Sequence, residues 1–242
     1  MKIALFSDIH ANLPALTAVL ESIETKKPDM IYCLGDLVGY NIWPNEVIQE
    51  IRKRGIPTIA GNHDAKVQHL TKSQLAESGK NYGYSIIHTE EKQYLATLPA
   101  HIRIEFQLKG QPLNLLMVHG SPKSNDEYLL EDKPAAAFLE VFKDAGADIL
   151  CFGHSHKPYH RILSEEGHYR HAINIGSVGK PKDGDPRACY VLLTIHDFSN
   201  RTVPESIDVE FIRVDYDIEK AAAGIEESPL PQELAEMLRQ AY

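Results

Sequence analysis

Short apolar runs alternate with longer stretches of helical spacing over the first quarter of the chain. The runs at residues 3–6, 30–34 and 57–60 are each followed by a polar loop. Apolar residues spaced three to four apart then predict helices over residues 13–25 and from Pro44 onward. Three successive strand–loop–helix units are typical of a layered α/β fold.

The rest of the chain is predicted to be helical to about residue 98 and then mostly sheet. A period of two predicts a hairpin of residues 102–108 and 113–118, joined around 109–112. Further predicted elements are a helix at 134–143, strands at 149–152, 159–163, 168–175, 189–195 and 207–214, and helices at 217–223 and 231–240. Because no repeat or break in composition interrupts the pattern, we expect a single domain over residues 1–242.

Composition and charge narrow the functional class. Hydrophobic residues make up 43% of the chain and charged residues 24%, as in ordinary soluble globular proteins. The net charge of −9 argues against a large nucleic acid as partner. Three widely spaced cysteines predict reduced thiols, and the first apolar run is too short for a signal segment or membrane span. A cytoplasmic protein without membrane association is expected.

Acidic, amide and imidazole side chains follow the apolar runs. They are Asp8, His10, Asp36, Asn62, His63, Asp64, His119, His154 and His156. The carboxyl ends of neighbouring parallel strands meet at one edge of a sheet, so these groups are expected to converge. Oxygen and nitrogen donors without cysteine suit Mn, Fe or Zn, with Co or Ni as alternatives in vitro.

This set exceeds what one ion needs, which predicts two divalent ions. Two ions about 3.5–4 Å apart share a ligand best through a carboxylate, and Asp36 lies in the middle of the set. Such a pair activates water and clamps a phosphoryl group. The residues therefore predict a hydrolase of phosphoesters.

The motif set resembles that of the calcineurin-like metallophosphoesterase superfamily. The matching motifs, in chain order, are Asp8-Ile9-His10, Gly35-Asp36, Gly61-Asn62-His63-Asp64, His119 and Gly153-His154-Ser155-His156. The segment 174–177 and the chain length are similar to the small bacterial and archaeal phosphodiesterase branch. The resemblance implies a four-layer αββα sandwich of two mixed β-sheets flanked by helices, with a dinuclear metal site at the carboxyl edge of the strands.

The resemblance also implies roles for these residues. One metal would be held by Asp8, His10, Asp36 and His156, and the other by Asp36, Asn62, His119 and His154. His63, oriented by Asp64, would contact the phosphate or protonate the leaving oxygen, while a metal-bridging hydroxide attacks. The chain lacks the Asp-Arg-Gly motif of protein phosphatases, which favours a phosphodiester, including a nucleotide-derived one, over a phosphoprotein. A phosphomonoester is the other candidate.

Four further residues are candidates for contact with a small phosphorylated substrate. Tyr40 follows the second motif and can stack on a nucleobase, or simply pack. Asn12 can bind phosphate or cap the following helix. Ser177 and Arg187 lie in a polar, glycine-containing loop that can close over substrate, or that is simply a solvated surface loop.

A different function is also open, because some relatives with this fold are catalytically weak scaffolds for protein interaction. The retained His63 favours the enzyme.

Overall fold

The computed structural model describes residues 1–76, 79–108 and 112–242. The strands are β1 (Lys2–Phe6), β2 (Met30–Cys33), β3 (His101–Phe106), β4 (Leu113–Val118), β5 (Ile149–Phe152), β6 (Tyr159–Glu165), β7 (His168–Asn174), β8 (Ala188–Ile195) and β9 (Ile207–Val214). The helices are α1 (Leu13–Lys26), α2 (Pro44–Lys53), α3 (Asn62–Lys66), α4 (Lys72–Ala76), α5 (Tyr82–Ser85), α6 (Thr89–Leu95), α7 (Ala135–Ala145), α8 (Ile218–Glu226) and α9 (Glu233–Gln240).

The strands form two mixed sheets. The four-stranded sheet has the order β2-β1-β8-β9, with β1 and β2 parallel and the other neighbours antiparallel. The five-stranded sheet has the order β3-β4-β5-β7-β6. Its three central strands β4, β5 and β7 are parallel, and its edge strands are antiparallel to their neighbours.

Alternation along β1 shows how the layers are assembled. Ile3 and Leu5 pack between the two sheets, in a core that also includes Met117 of β4. Ala4 and Phe6 point to the opposite face, where α1 and α2 cover the four-stranded sheet. Helix α7 packs on the outer face of the five-stranded sheet. Because successive residues of a strand face opposite sides of the sheet, β1 contributes side chains both to the core between the sheets and to the core under the helices. The predicted four-layer sandwich is confirmed.

One predicted strand is wrong. Residues 57–60 form a single parallel bridge, between Thr58 and Cys33, instead of a strand. Pro57 has no N–H to donate to a ladder, and the N–H of Ala60 turns away to the carbonyl of Pro99, 2.8 Å from it.

The helical pattern beyond residue 65 is divided among short helices rather than continuous. Helices α4, α5 and α6 are separated by turns, and Gly79 leaves helical geometry with φ of 90°. In the predicted hairpin, β3 ends at Phe106, and residues 109–111 of its turn lie outside the described residues. Among the described residues, no helix combines the length and apolar character needed to cross a membrane.

Candidate metal centre

The predicted metal ligands follow the carboxyl ends of four strands. Asp8 and His10 follow β1, and Asp36 follows β2. His119 comes directly after β4, and two histidines, at 154 and 156, follow β5. Because β1 is parallel to β2 and β4 is parallel to β5, these loops open at shared sheet edges. Asn62 joins them as the first residue of α3.

Most of these ligand residues have a left-handed backbone. The values of φ are 55° for Asp8, 50° for His10, 55° for Asp36, 64° for His154 and 60° for His156. This region costs an L residue about 1 kcal/mol, although Asp and His enter it more readily than most. The turns it creates direct successive side chains inward from short loops.

The side chains meet in one buried cluster. The Nε2 atom of His156 lies 3.2 Å from Oδ1 of Asp8, and Nε2 of His119 lies 3.3 Å from Oδ2 of Asp36. His10 sits between the carboxylates, with Nε2 3.7 Å from an oxygen of each. All five residues are at most 2% exposed, so solvent does not separate these groups.

In the part of the chain that the structure describes, three groups of three donors are compact enough to hold an ion. Two of them share no residue, and the third, formed by His10, Asp36 and His63, overlaps with both. The donor atoms lie within 4.8 Å of one another in the group Asp8, His10 and His156, and likewise in the group Asp36, His119 and His154. The amide oxygen of Asn62 is 3.1 Å from Nε2 of His119, which places it beside the second group.

Three buried polar atoms of the cluster have no hydrogen-bond partner among the described residues. They are Oδ1 of Asp8, Oδ2 of Asp36 and Nε2 of His154. Unpaired buried polar atoms are costly and therefore rare. Since all three are Lewis bases, divalent cations fit this donor set.

The histidine tautomers also suit cation binding. Nδ1 lies beside a backbone carbonyl oxygen in His119 (2.8 Å), His10 (3.1 Å) and His156 (2.5 Å). A carbonyl oxygen only accepts, so Nδ1 is the protonated nitrogen that donates, and Nε2 of a neutral ring keeps its lone pair toward the cluster.

The neighbouring imidazoles favour ionised carboxylates. Burial opposes the charge of Asp8, yet His156 and His119 hold its pKa below the ordinary range. Burial likewise opposes the charge of Asp36, while His119 and His63 lower its pKa. Burial alone would lower the pKa of His119, but the Asp36 carboxylate raises it to about 10. The ionised carboxylates thus require positive charge in the cluster. A proton on His119 supplies it when no metal ion is bound, and a bound cation would take the place of that proton.

Asp64 holds two ligand loops together. Its carboxylate accepts hydrogen bonds from the backbone N–H groups of Asp36 (2.8 Å), Leu37 (2.9 Å) and Gly61 (3.0 Å). Burial and the nearby Asp36 charge raise the pKa of Asp64 to about 7. The resemblance implied that Asp64 orients His63. In the structure, the hydrogen bonds of the Asp64 carboxylate join it to backbone N–H groups and not to the His63 imidazole.

The partner of the His63 imidazole is Tyr84. Nδ1 of His63 is hydrogen-bonded to the Tyr84 hydroxyl, and the backbone N–H of His63 donates to Oδ1 of Asp36 at 2.8 Å. The His63 ring also lies 4.9 Å from the ring of His10, centre to centre. Sequence reasoning missed Tyr84, because nothing in the spacing of a residue on α5 connects it with the motif at α3.

A second aromatic residue that sequence reasoning missed is Tyr128. Its ring stacks on His154, with centres 4.1 Å apart and planes inclined by 16°. Tyr128 lies in the long loop after β4 and is half exposed. It therefore forms an outer wall of the ligand cluster.

Two of the expected substrate contacts are engaged within the fold. The amide oxygen of Asn12 accepts from the N–H of Ala15 and caps α1, and its amide nitrogen donates to the Gly179 carbonyl. The hydroxyl of Ser177 donates to the carbonyl of Asp8 at 2.8 Å. Both side chains are buried, so the capping alternative describes Asn12.

The other two expected contacts differ in position. Tyr40 lies beside the cluster, its ring 4.7 Å from that of His10. Arg187 is exposed and forms a bidentate ion pair with Asp185. Trp43, the other aromatic residue of the Tyr40 loop, packs with α8 and α9 instead of at the cluster.

Comparisons with known proteins agree with this architecture. The family model of the calcineurin-like phosphoesterase superfamily domain matches residues 1–197. An uncharacterized protein of Methanocaldococcus jannaschii is 35% identical over 257 residues, covering 98% of this chain and 96% of the relative. A metallophosphoesterase of Sphaerobacter thermophilus superposes with a TM-score of 0.79 and 29% identity over 100% of both chains. A hypothetical protein of Pyrococcus horikoshii OT3 shares the fold with a TM-score of 0.79 and 23% identity, covering 100% of this chain and 98% of the other.

The sandwich fold and the buried cluster of carboxylates and imidazoles define a metal-dependent phosphoesterase. The chain belongs to the calcineurin-like phosphoesterase superfamily.

Proposed function

We propose that this protein hydrolyses a small phosphodiester with two divalent metal ions. The observation that carries the proposal is the meeting of three unpartnered Lewis-basic atoms, on Asp8, Asp36 and His154, in one buried cluster. Two compact donor groups that share no residue support two ions rather than one.

The ligand sets follow from the two donor groups. Asp8, His10 and His156 would hold one ion. Asp36 is within reach of both groups, since His10 and His119 approach the same oxygen, Oδ2, at 3.7 and 3.3 Å. It is therefore the proposed shared ligand.

The second ion completes the assignment. His119 and His154 would bind it together with the shared carboxylate, and Asn62 would add its amide oxygen. Mn, Fe and Zn all accept such oxygen and nitrogen ligands, and Mn is the proposed first choice for assay.

Hydrolysis adds the oxygen of water to phosphorus and breaks the phosphorus–oxygen bond to the leaving group. When bound, the ions supply an activated water and neutralise charge on the phosphoryl oxygens. Asp64 fixes the loop that presents Asp36. His63 is the proposed general acid, which gives its proton to the departing oxygen.

Tyr84 is the proposed positioning residue of His63. Its hydroxyl fixes Nδ1 of the ring and leaves Nε2 for the proton transfer. Burial raises the pKa of Tyr84 far above its ordinary value, so the phenol stays neutral. Its oxygen accepts a hydrogen bond from Nδ1–H of the protonated ring, and Nε2–H of that ring is the proton given to the leaving oxygen.

The proposal is tested by hydrolysis of bis-p-nitrophenyl phosphate and p-nitrophenyl phosphate by the Mn-loaded protein. We expect faster turnover of the diester than of the monoester. Because p-nitrophenolate leaves without a proton, the general acid is tested with diphenyl phosphate, for which His63→Ala should lower kcat by about 10²–10⁴-fold at unchanged metal content. The exposed His69→Ala serves as the matched control. An inert, fully metal-loaded wild type would contradict the proposed activity, and an unaffected His63→Ala would contradict the assigned acid.

A further inference from the structure

A cavity of about 500 Å³ opens next to the metal centre on the side of His63. His63 and Tyr40 line it, so the cavity and the metal centre share a wall. A volume of this size is typical of small-molecule sites. The proposed metal ligands do not line this cavity, which we call the lysine pocket after the lysines in its wall.

Four lysines from three separate segments line the lysine pocket. They are Lys66 at the end of α3, Lys80 before α5, and Lys180 and Lys182 in the loop between β7 and β8. Glu233 is the acidic residue on the same wall. In a chain with a net charge of −9, such a convergence of cations is a local reversal of sign.

None of these four lysines forms an ion pair with another described residue, although Glu233 acts on Lys180, and Asp8 and Asp36 act on Lys182, at longer range. Within the described parts of the chain, no carboxylate lies within 4.0 Å of the ammonium group of Lys66, Lys80, Lys180 or Lys182. Their positive charge is therefore available to a ligand.

Lys180 is held in place and is almost fully buried. Lys180 is 3% exposed, and its Nζ atom lies 5.1 Å from the centre of the Tyr40 ring. Its backbone N–H donates to the hydroxyl of Ser177 at 2.9 Å. Lys66 takes a similar position, with Nζ 4.9 Å from the ring centre of Tyr84. Burying an ammonium group costs free energy unless an anion or an aromatic face compensates it.

The opposite side of the lysine pocket is apolar. Leu234 and Met237 of α9 line it, together with Tyr242. The cavity thus combines cations, aromatic rings and an aliphatic surface. This combination suits an organic group that carries its own negative charge.

We propose that the lysine pocket binds the leaving group of the substrate, and that this leaving group carries a second phosphate. The inference rests on the proposed function, because His63 lines the pocket and is the residue assigned to protonate the leaving oxygen. The substrate class is then a nucleotide-sized phosphoester with two phosphate groups. The scissile phosphate lies at the metal centre and the second lies among the lysines.

The test compares two ligands that differ by one phosphate. Adenosine 5′-monophosphate and adenosine 3′,5′-bisphosphate are titrated into the Mn-loaded full-length protein by isothermal calorimetry. We expect the bisphosphate to bind about tenfold or more tightly, as one additional charge-assisted contact provides. Equal dissociation constants in the wild type would overturn the proposal.

Variants locate the effect. The double substitution Lys66→Gln/Lys182→Gln removes two charges at positions less buried than Lys180 and should reduce the ratio of the two dissociation constants to near one. Lys143→Gln, on the exposed face of α7, should keep the wild-type ratio. An unchanged ratio in the double variant would also overturn the proposal, because the second phosphate would then bind elsewhere.

Hydrolysis of bis-p-nitrophenyl phosphate by the same Mn-loaded preparation separates the two proposals. This diester lacks a second phosphate, so its turnover reports on the metal centre. Absence of turnover with the bisphosphate preference intact refutes the proposed function and leaves an anion-binding cavity. Turnover without the preference refutes the lysine pocket alone.

Discussion

Single residues at this site are held by contacts to the backbone of distant loops. Asp64 accepts three backbone hydrogen bonds and thereby ties the loop after β2 to the start of α3. The ligand Asp36 itself has a left-handed φ of 55°. Such a conformation persists only when surrounding contacts fix it. The position of a metal ligand such as Asp36 therefore depends on the residues that hold its backbone, Asp64 among them.

We predict that Asp64→Asn weakens Mn²⁺ binding by about 10–100-fold. An amide has one acceptor oxygen and turns an N–H₂ group toward backbone donors, so the loop that carries Asp36 loses part of its support. Competition with a fluorescent metal indicator measures the dissociation constant. Asp144→Asn, an exposed substitution on α7, should leave it unchanged. Wild-type affinity in Asp64→Asn would show that this network does not support metal binding.

We predict that Tyr84→Phe lowers kcat for diphenyl phosphate, whose leaving group needs a proton, by about tenfold and leaves KM and metal content unchanged. The phenol contacts the His63 ring, so its loss misdirects the proposed acid without removing a metal ligand. Tyr169→Phe on β7 is the control. In a His63→Ala background the Tyr84 substitution should have no further effect. Additive losses would assign Tyr84 a role independent of His63.

At the scale of elements, local sequence determined most strands and helices. The apolar spacing that predicted a helix from residue 13 corresponds to α1, whose buried residues include Leu16, Val19 and Ile23. The strand predicted at residues 57–60 was wrong because hydrogen bonding, rather than apolar character, decides whether an edge segment joins a sheet. The segment beyond residue 65 was predicted as helical to about residue 98, but it forms separate short helices. Its apolar periodicity does not show where turns interrupt the helix.

We predict that Lys27→Gly stabilises the fold by about 0.5–1 kcal/mol. Lys27 ends α1 in the left-handed region, with φ of 48°, where glycine avoids the steric cost of a Cβ. Its neighbour Lys26 is helical, so Lys26→Gly should destabilise by about 1 kcal/mol. Urea denaturation measures both free energies of unfolding. If both glycines destabilise equally, the backbone strain assigned to Lys27 is absent.

At the scale of the molecule, the sequence predicts the site residues that follow strands better than those at helix ends and in loops. Groups that follow strands were predictable, since parallel strands bring their ends to one edge. Nε2 of His119 lies 3.9 Å from Oδ1 of Asp8 and 3.3 Å from Oδ2 of Asp36. Tyr84 and the lysines of the lysine pocket come from helix ends and loops whose meeting depends on the packing of α9 and the β7–β8 loop. No local pattern encodes that packing, although Lys66, three residues after His63 on α3, offered a weak signal.

We predict that the whole fold loses stability on acidification between about pH 6.5 and pH 4 through His171. Burial, and to a lesser degree His160, lowers the pKa of this β7 residue from 6.5 to about 4. The unfolded chain therefore binds a proton in this window that the folded chain does not, so stability falls as pH falls, by about 3 kcal/mol in total.

Urea denaturation at several pH values checks this contribution. His171→Gln should flatten the dependence of the unfolding free energy on pH in that window, whereas the exposed His69→Gln should retain the wild-type slope. An identical slope in His171→Gln would assign the acid sensitivity to other groups.

The metal content of the purified protein tests the dinuclear centre most directly. After incubation with Mn²⁺ and removal of free ions, mass spectrometry of the metal against protein concentration gives the number of ions per chain. We predict about two ions per wild-type chain and fewer than one for Asp36→Asn, since Asp36 is the proposed shared ligand. A wild-type chain that retains one ion or none, or an Asp36→Asn chain that still holds two, would contradict the proposed centre.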